Sequence, residues 1–136
     1  MRTYLILFLT VFSFGCKRTM ETECGTLSCP PTTNTISLSI IGTDGKPTKA
    51  YYLETYNTRT KEKKINLQDS PNYNGGITYK YRLFSNPRNF SSSGDNVIVL
   101  VKSESGKEFK LVYLVQGGKC ACEVKKLSGP SILTID

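Results

Sequence analysis

The chain has 136 residues, 18 Lys and Arg against 11 Asp and Glu, five Cys, and neither His nor Trp. Without His, the chain cannot build a Ser-His-Asp or Cys-His catalytic site, a His-ligated metal site or a His-based pH switch. The length suits a single domain, and the net charge of +7 favours anionic partners without identifying one.

The first residues have the pattern of an export signal. A positive charge at Arg2 precedes an apolar run over residues 4–14, and Gly15 then leads to Cys16. A bilayer-spanning helix needs about 20 apolar residues, so this shorter run predicts a cleaved signal peptide over residues 1–15.

The Cys at this junction resembles the lipobox Cys of Gram-negative bacterial lipoproteins, which is acylated and becomes the first residue. Ser13 stands where that family usually has an aliphatic residue, and Ser13-x-Gly15 also fits ordinary signal-peptidase cleavage. Cysteine parity favours acylation, because setting Cys16 aside leaves four cysteines that can pair. The resemblance implies lipidation at Cys16, and Lys17 in place of the Asp of inner-membrane retention implies anchoring in the outer membrane, in either leaflet.

Residues 16–35 are polar and rich in Thr and Pro, which predicts a flexible tether that contains Cys24 and Cys29. Cys120 and Cys122 lie two apart on a predicted strand, so they share a face and are poorly placed to bond to each other. If successive strands run antiparallel, the strand of Cys120 and Cys122 starts at the end of the domain where the tether enters. This predicts two cross-bridges whose pairing order stays open. The alternatives are a bridge between Cys24 and Cys29 and a Cys₄ zinc site, for which Cys-x-Cys is a short spacing. We expect no metal and no cofactor.

Short alternating apolar runs separated by turn residues follow from Ile36 onward, the pattern of an all-β domain over residues 36–136. The predicted strands cover residues 36–40, 50–56, 61–67, 77–83, 97–101, 109–115, 120–124 and 131–135. Seven or eight strands in about 100 residues predict a single Ig-like or transthyretin-like antiparallel β-sandwich. The run 97–101 is apolar on both faces, which predicts a central strand.

The opening of this domain alternates Ile36, Leu38 and Ile40, turns at Asp44-Gly45 and continues through Pro47 to Ala50. It resembles the first hairpin of transthyretin-like, carboxypeptidase-regulatory-like sandwiches. The resemblance implies the fold and says little about function.

Two basic segments have alternative interpretations. The run 59–64 could bind a polyanion, although lysines on an edge strand also prevent edge-to-edge pairing. Residues 79–82, Tyr-Lys-Tyr-Arg, resemble a nucleic-acid stacking strand, but both Tyr share a face with apolar residues, which favours core packing and no nucleic acid.

Two long loops, 68–76 and 85–96, are the predicted binding sites, with Tyr73 in the first and Arg88 and Phe90 in the second. Because successive antiparallel strands alternate in direction, we expect the second loop at the tether end, where Phe90 would contact lipid, and the first loop at the opposite end. No carboxylates are spaced as a catalytic pair, so we expect no enzyme.

The sequence as a whole predicts a non-catalytic outer-membrane lipoprotein, an accessory or adhesion-type binding module of the cell envelope. Its expected partners are the membrane, through the lipid anchor, and an envelope protein or polysaccharide. The alternative is a small inhibitor of a peptidoglycan hydrolase or protease, although basic targets would be repelled by this basic chain.

Overall fold

A computed structural model describes residues 24, 29, 34–65, 70–72 and 78–136 of the chain. The signal peptide, Cys16, most of the tether and Tyr73 lie outside the described residues. Nine strands occupy the described ranges: β1 Ile36–Gly42, β2 Tyr52–Asn57, β3 Lys63–Ile65, β4 Ser70–Asn72, β5 Thr78–Phe84, β6 Asp95–Lys102, β7 Glu108–Gln116, β8 Lys125–Ser128 and β9 Ile132–Ile135. One 3₁₀ turn, Pro87–Asn89, lies between β5 and β6.

The strands form two sheets, in the orders β4-β5-β1-β9 and β3-β2-β6-β7-β8, so the predicted all-β sandwich is confirmed. Two details of the four-stranded sheet differ from the prediction. The short strand β4 lies inside the segment expected to be a loop, and β9 runs parallel to β1. The parallel pair arises because the chain leaves the five-stranded sheet after β8 and crosses at residues 129–131 to the edge of the other sheet.

The core lies between the sheets and follows the alternation of the sequence. Val97, Val99 and Val101 of β6 are fully buried, and β6 is the middle strand of its sheet, as its two-sided apolar pattern predicts. Tyr113 is also fully buried, and its hydroxyl donates a hydrogen bond to the Pro130 carbonyl at 2.8 Å. Tyr81 is buried as well, which confirms core packing for the Tyr-Lys-Tyr-Arg strand.

The strand predicted over residues 120–124 is wrong in position. Cys120 and Cys122 lie in the connection between β7 and β8, and the strand begins only at Lys125. Gly118 has a φ of 125°, a conformation that favours glycine, and it turns the backbone just before the alternation of Cys120, Cys122 and Val124.

One end of the sandwich, which we call the entry end, collects the start of β1, the β2–β3 turn 58–62, the loop 85–94 and the loop 117–124. The register shows this directly, because Ile36 pairs with Phe84 and Asp95 pairs with Val115. The loops 85–94 and 117–124 are joined by backbone hydrogen bonds from Gly117 to Ser91 at 3.0 Å and from Gly118 to Pro87 at 2.9 Å. As predicted, the loop after β5 lies at the end where the N-terminal segment enters.

Candidate functional site

A pocket of about 290 Å³ opens between the two sheets at the entry end. Its lining residues come from β2, β3, β5, β6 and the connections beside them: Thr55, Asn57, Glu62, Lys64, Arg82, Leu83, Phe84, Ser85, Asn86, Asn89, Phe90 and Val97. The volume is at the lower limit for a small-molecule pocket, which suits one side chain or one small group of a larger ligand.

A β-bulge shapes the apolar wall of this pocket. The β1–β5 register shifts between Ile36 and Ser37, which pair with Phe84 and Arg82 and leave Leu83 as the extra residue. Leu83 and Phe84 are consequently both buried, although they are adjacent in a strand. The Phe84 ring then meets Phe90 edge to face, with the ring centroids 5.4 Å apart. The bulge thus turns the end of β5 into an aromatic wall.

The polar part of the lining consists of amides, hydroxyls and two cations. Asn57, Asn86 and Asn89 supply amide groups, while Lys64 and Arg82 are exposed cations. Lys64 reaches Glu62 at 3.5 Å, and both of these side chains are about half exposed, so this pair is weak. Arg82 forms no ion pair with any residue that the structure describes. Among the described residues of the lining, two cations therefore stand against one carboxylate, Glu62.

A buried carboxylate, Asp95, fixes the groups behind the pocket. Its oxygens accept hydrogen bonds from Arg59 Nε at 2.6 Å, Arg59 Nη2 at 2.8 Å, Asn57 Nδ2 at 3.0 Å and the Ser91 backbone N–H at 3.2 Å. Arg59 Nη2 also donates to the Asn89 carbonyl at 3.4 Å. The β2–β3 turn, the loop 85–94 and the first residue of β6 are therefore held by one side chain.

Two opposing effects act on the pKa of Asp95. Burial raises it, but the hydrogen bonds from Arg59, Asn57 and Ser91, together with the Arg59 charge, outweigh burial and leave the pKa below its ordinary value. The same pairing raises the pKa of Arg59. Asp95 is thus an ionised structural anchor, and a general acid or base would need the opposite tuning toward neutral pH.

The four cysteines of the described chain are paired as Cys24–Cys120 and Cys29–Cys122, with Cα atoms 5.3 Å and 5.2 Å apart. The predicted cross-bridges are therefore present in the structure, and the pairing order that the sequence left open is resolved there. A bond within the tether or a Cys₄ zinc site would need the same thiols. Both bridges join the N-terminal segment to the loop 117–124, at the entry end.

The remaining predicted site residues have different surroundings. Arg88 is exposed in the 3₁₀ turn, and Tyr73 and Cys16 lie outside the described residues. Phe90 is 7% exposed and packs on Phe84, so the expected lipid contact of its ring does not fit the structure. Apolar burial draws this aromatic inward from an otherwise polar loop, and its role becomes that of a pocket wall.

The residues of the basic run 59–64 have two different roles. Arg59 is the partner of Asp95, whereas Lys63 and Lys64 belong to the edge strand β3, where lysines discourage edge-to-edge pairing. Sequence reasoning missed the Asn57–Arg59–Asp95 cluster, in which Asp95 is 38 residues from Asn57 and 36 residues from Arg59. The available signal was an Asp at the start of the most apolar strand, a position that needs a partner once buried.

Comparison with family models, with curated proteins and with solved structures found no match to this chain. Within the described residues, no helix is long and apolar enough to cross a membrane. No cluster of three or more potential metal ligands occurs in those same ranges.

Proposed function

We propose that the chain is a lipid-anchored, non-catalytic binding module of the cell envelope, and that the entry-end pocket binds an acidic segment of a partner protein. The observation that carries the proposal is that the pocket and both disulfides occupy the same end of the sandwich. A site next to the attachment of the N-terminal segment is held at a defined place relative to whatever anchors that segment.

The anchor in this proposal is the lipid on Cys16 in the outer membrane. Eight residue steps separate Cys16 from Cys24, so a fully extended chain spans at most about 28 Å between them. Without the two bridges, the first fixed point would instead be the start of β1 at Ile36. The bridges thereby shorten the reach of the domain and keep the pocket close to the membrane surface.

The chemistry of the pocket supports an acidic peptide over a saccharide. Arg82 and Lys64 can pair with a carboxylate, and the amides of Asn86 and Asn89 suit peptide groups. The two aromatic residues of the lining are buried against each other at their edges, which leaves no exposed ring for stacking on a sugar among the lining residues. The net charge of +7 acts in the same direction, because it attracts an acidic partner.

Fluorescence anisotropy with labelled peptides of alternating Glu and Ser tests the pocket, with peptides of alternating Gln and Ser as the matched neutral probe. We expect saturable binding of the acidic peptide and a loss of roughly tenfold in affinity for Arg82→Gln, about the effect of one charged hydrogen bond. Lys80→Gln is the control, because Lys80 lies on the same strand, is also exposed and does not line the pocket.

Three results would count against the proposal. Equal affinity for both peptides would show that charge is not recognised, and equal effects of the two substitutions would place binding outside the pocket. Preference for a uronic oligosaccharide would make the ligand a polysaccharide.

The anchor is tested separately, since Cys16→Ser should abolish incorporation of labelled palmitate and release the chain from the membrane, and unchanged retention would refute lipidation.

A further inference from the structure

The four edge strands of the sandwich differ in how they are protected from pairing with another chain. β3 and β8 carry adjacent lysines, Lys63–Lys64 and Lys125–Lys126, and β4 contains Pro71, which has no N–H to donate. The fourth edge strand, β9, has the sequence Ile-Leu-Thr-Ile and carries neither a charge nor a proline. Among the described strands, β9 is therefore the edge without a residue that blocks pairing.

The outward-facing groups of β9 follow from its pairing with β1. Ser39 N–H donates to the Ser131 carbonyl at 2.9 Å, and Ser39 pairs with Ile132 in a parallel register. Because the backbone groups of successive residues point to opposite edges of a strand, Leu133 and Ile135 face β1. The amide and carbonyl groups of Ile132 and Thr134 therefore face the free edge, where they form no hydrogen bond with a described residue.

The side chains of Ile132 and Thr134, whose backbone groups face the free edge, are also exposed to solvent. Ile132 is 59% exposed and Thr134 is exposed, whereas Ile135 is buried in the core. An exposed, uncharged and β-branched edge is a template for the addition of a strand.

We propose that β9 pairs antiparallel with β9 of a second copy of this chain, joining the two four-stranded sheets into one of eight strands. A dyad perpendicular to the sheet at Leu133 places Ile132 of each copy opposite Thr134 of the other. Each such pair exchanges two backbone hydrogen bonds and brings two β-branched side chains together on the outer face.

The free backbone groups of β9 support a second copy as the occupant, because the register centred on Leu133 makes the outward-facing groups of Ile132 and Thr134 complementary to those of the other copy. Asp136 stays outside this contact, because its carboxylate is paired with Lys107 Nζ of its own chain at 3.1 Å. Because an antiparallel strand must itself be free of blocking residues, β9 is also the one described edge of this chain that fits β9.

Sedimentation velocity of the exported, processed chain carrying Cys16→Ser measures the self-association without a lipid anchor. The contact is short, so we expect a weak dimer that becomes populated at concentrations on the order of 0.1–1 mM. Ile132→Lys places a charge on the edge, and Thr134→Pro removes the free N–H without touching the bonds to β1. Each should raise the dissociation constant by about tenfold or more.

Val112→Lys is the matched control, because Val112 is equally apolar and 56% exposed but lies on the other sheet. This variant should dimerise like the unsubstituted chain, and circular dichroism of all variants should remain that of a β-sandwich. If Thr134→Pro fails to fold, Ile132→Lys decides alone. A monomer at all concentrations up to about 1 mM, a dimer unaffected by Ile132→Lys, or an edge that binds only foreign extended peptides would overturn the proposal.

Discussion

Replacing Asp95 by Asn tests whether one buried carboxylate holds the entry end together. The Asp95 side chain is 1% exposed and accepts four hydrogen bonds, two of them from Arg59. An Asn of the same size presents an NH₂ group where at least one of these donors now points, so a buried donor loses its acceptor.

The expected loss in the free energy of unfolding at pH 7 is about 2–3 kcal/mol. A hydrogen bond to a charged group contributes about 1.5–3 kcal/mol, and removing one partner of a buried ion pair costs about 3–5 kcal/mol. The lower values apply here because the Arg59 side chain is 51% exposed, so water solvates it when the carboxylate is gone.

The pH dependence supplies an independent test with a defined sign. The pKa of Asp95 is lower in the folded protein than its ordinary value, so the unfolded chain takes up the proton first as the pH falls. The contribution of Asp95 is complete above the unfolded pKa of about 4 and is lost as the pH falls through the folded pKa. The difference in stability between the unsubstituted chain and Asp95→Asn should therefore be largest at neutral pH and shrink in acid.

Urea unfolding with the disulfides intact, at pH 7 and at several acid pH values, measures both quantities. Glu104→Gln is the control, because Glu104 is an exposed carboxylate in the β6–β7 turn. A loss below about 0.5 kcal/mol for Asp95→Asn, the usual range of surface substitutions, would refute the structural role of the cluster. A difference that stays constant with pH would refute the role of its charge.

Three further predictions follow from packing and covalent geometry. Phe90→Ala should cost about 3–4 kcal/mol of stability in urea unfolding and leave binding to lipid vesicles unchanged, whereas Tyr51→Ala, at a 74% exposed position, should cost little. Non-reduced peptide mapping should join Cys24 to Cys120 and Cys29 to Cys122, and losing the second bridge in Cys29→Ser/Cys122→Ser should lower stability by about 2–5 kcal/mol. Gly129→Ala should lower the free energy of unfolding in urea more than Gly106→Ala does. Both glycines have positive φ, but only a methyl group at position 129 would meet the Tyr113 ring.

The sequence predicted the parts of the fold that depend on alternation. Val97, Val99 and Val101 face the core because apolar residues two apart share a face. Tyr81 is buried on the same face as Leu83 for the same reason. Alternation failed at Cys120 and Cys122, where their spacing resembled a strand but the backbone turns. A turn built around left-handed Gly118 leaves no signal in the period of the residues that follow it.

The site was harder to predict than the fold because its parts meet only through tertiary contacts. The β5 bulge that buries Phe84 beside Leu83 depends on the register with β1, which no local pattern specifies. Phe90 illustrates the same limit, since an aromatic in a polar loop is compatible with a surface contact or a core contact. The core contact is provided by the Phe84 ring of β5, which packs on Phe90 and also on Tyr113 of β7.

The two ends of the sandwich differ in a way that bears on how a partner would approach. The entry end combines the Asp95 cluster, two disulfides and the pocket, whereas the opposite end carries the turns at residues 43–51 and 103–107. If Cys16 carries the anchor, the extended chain limits the Cys24 bridge to about 28 Å from the lipid, and the pocket lies at the same end of the sandwich as this bridge. A partner segment must then enter the space between the domain and the membrane, which favours a short acidic stretch beside a membrane anchor of its own. Lengthening the chain between Cys16 and Cys24 with a Gly-Ser insert should relax this limit and increase capture of partners without a membrane anchor. Capture that is unchanged by the insert would mean that the pocket already faces open solvent.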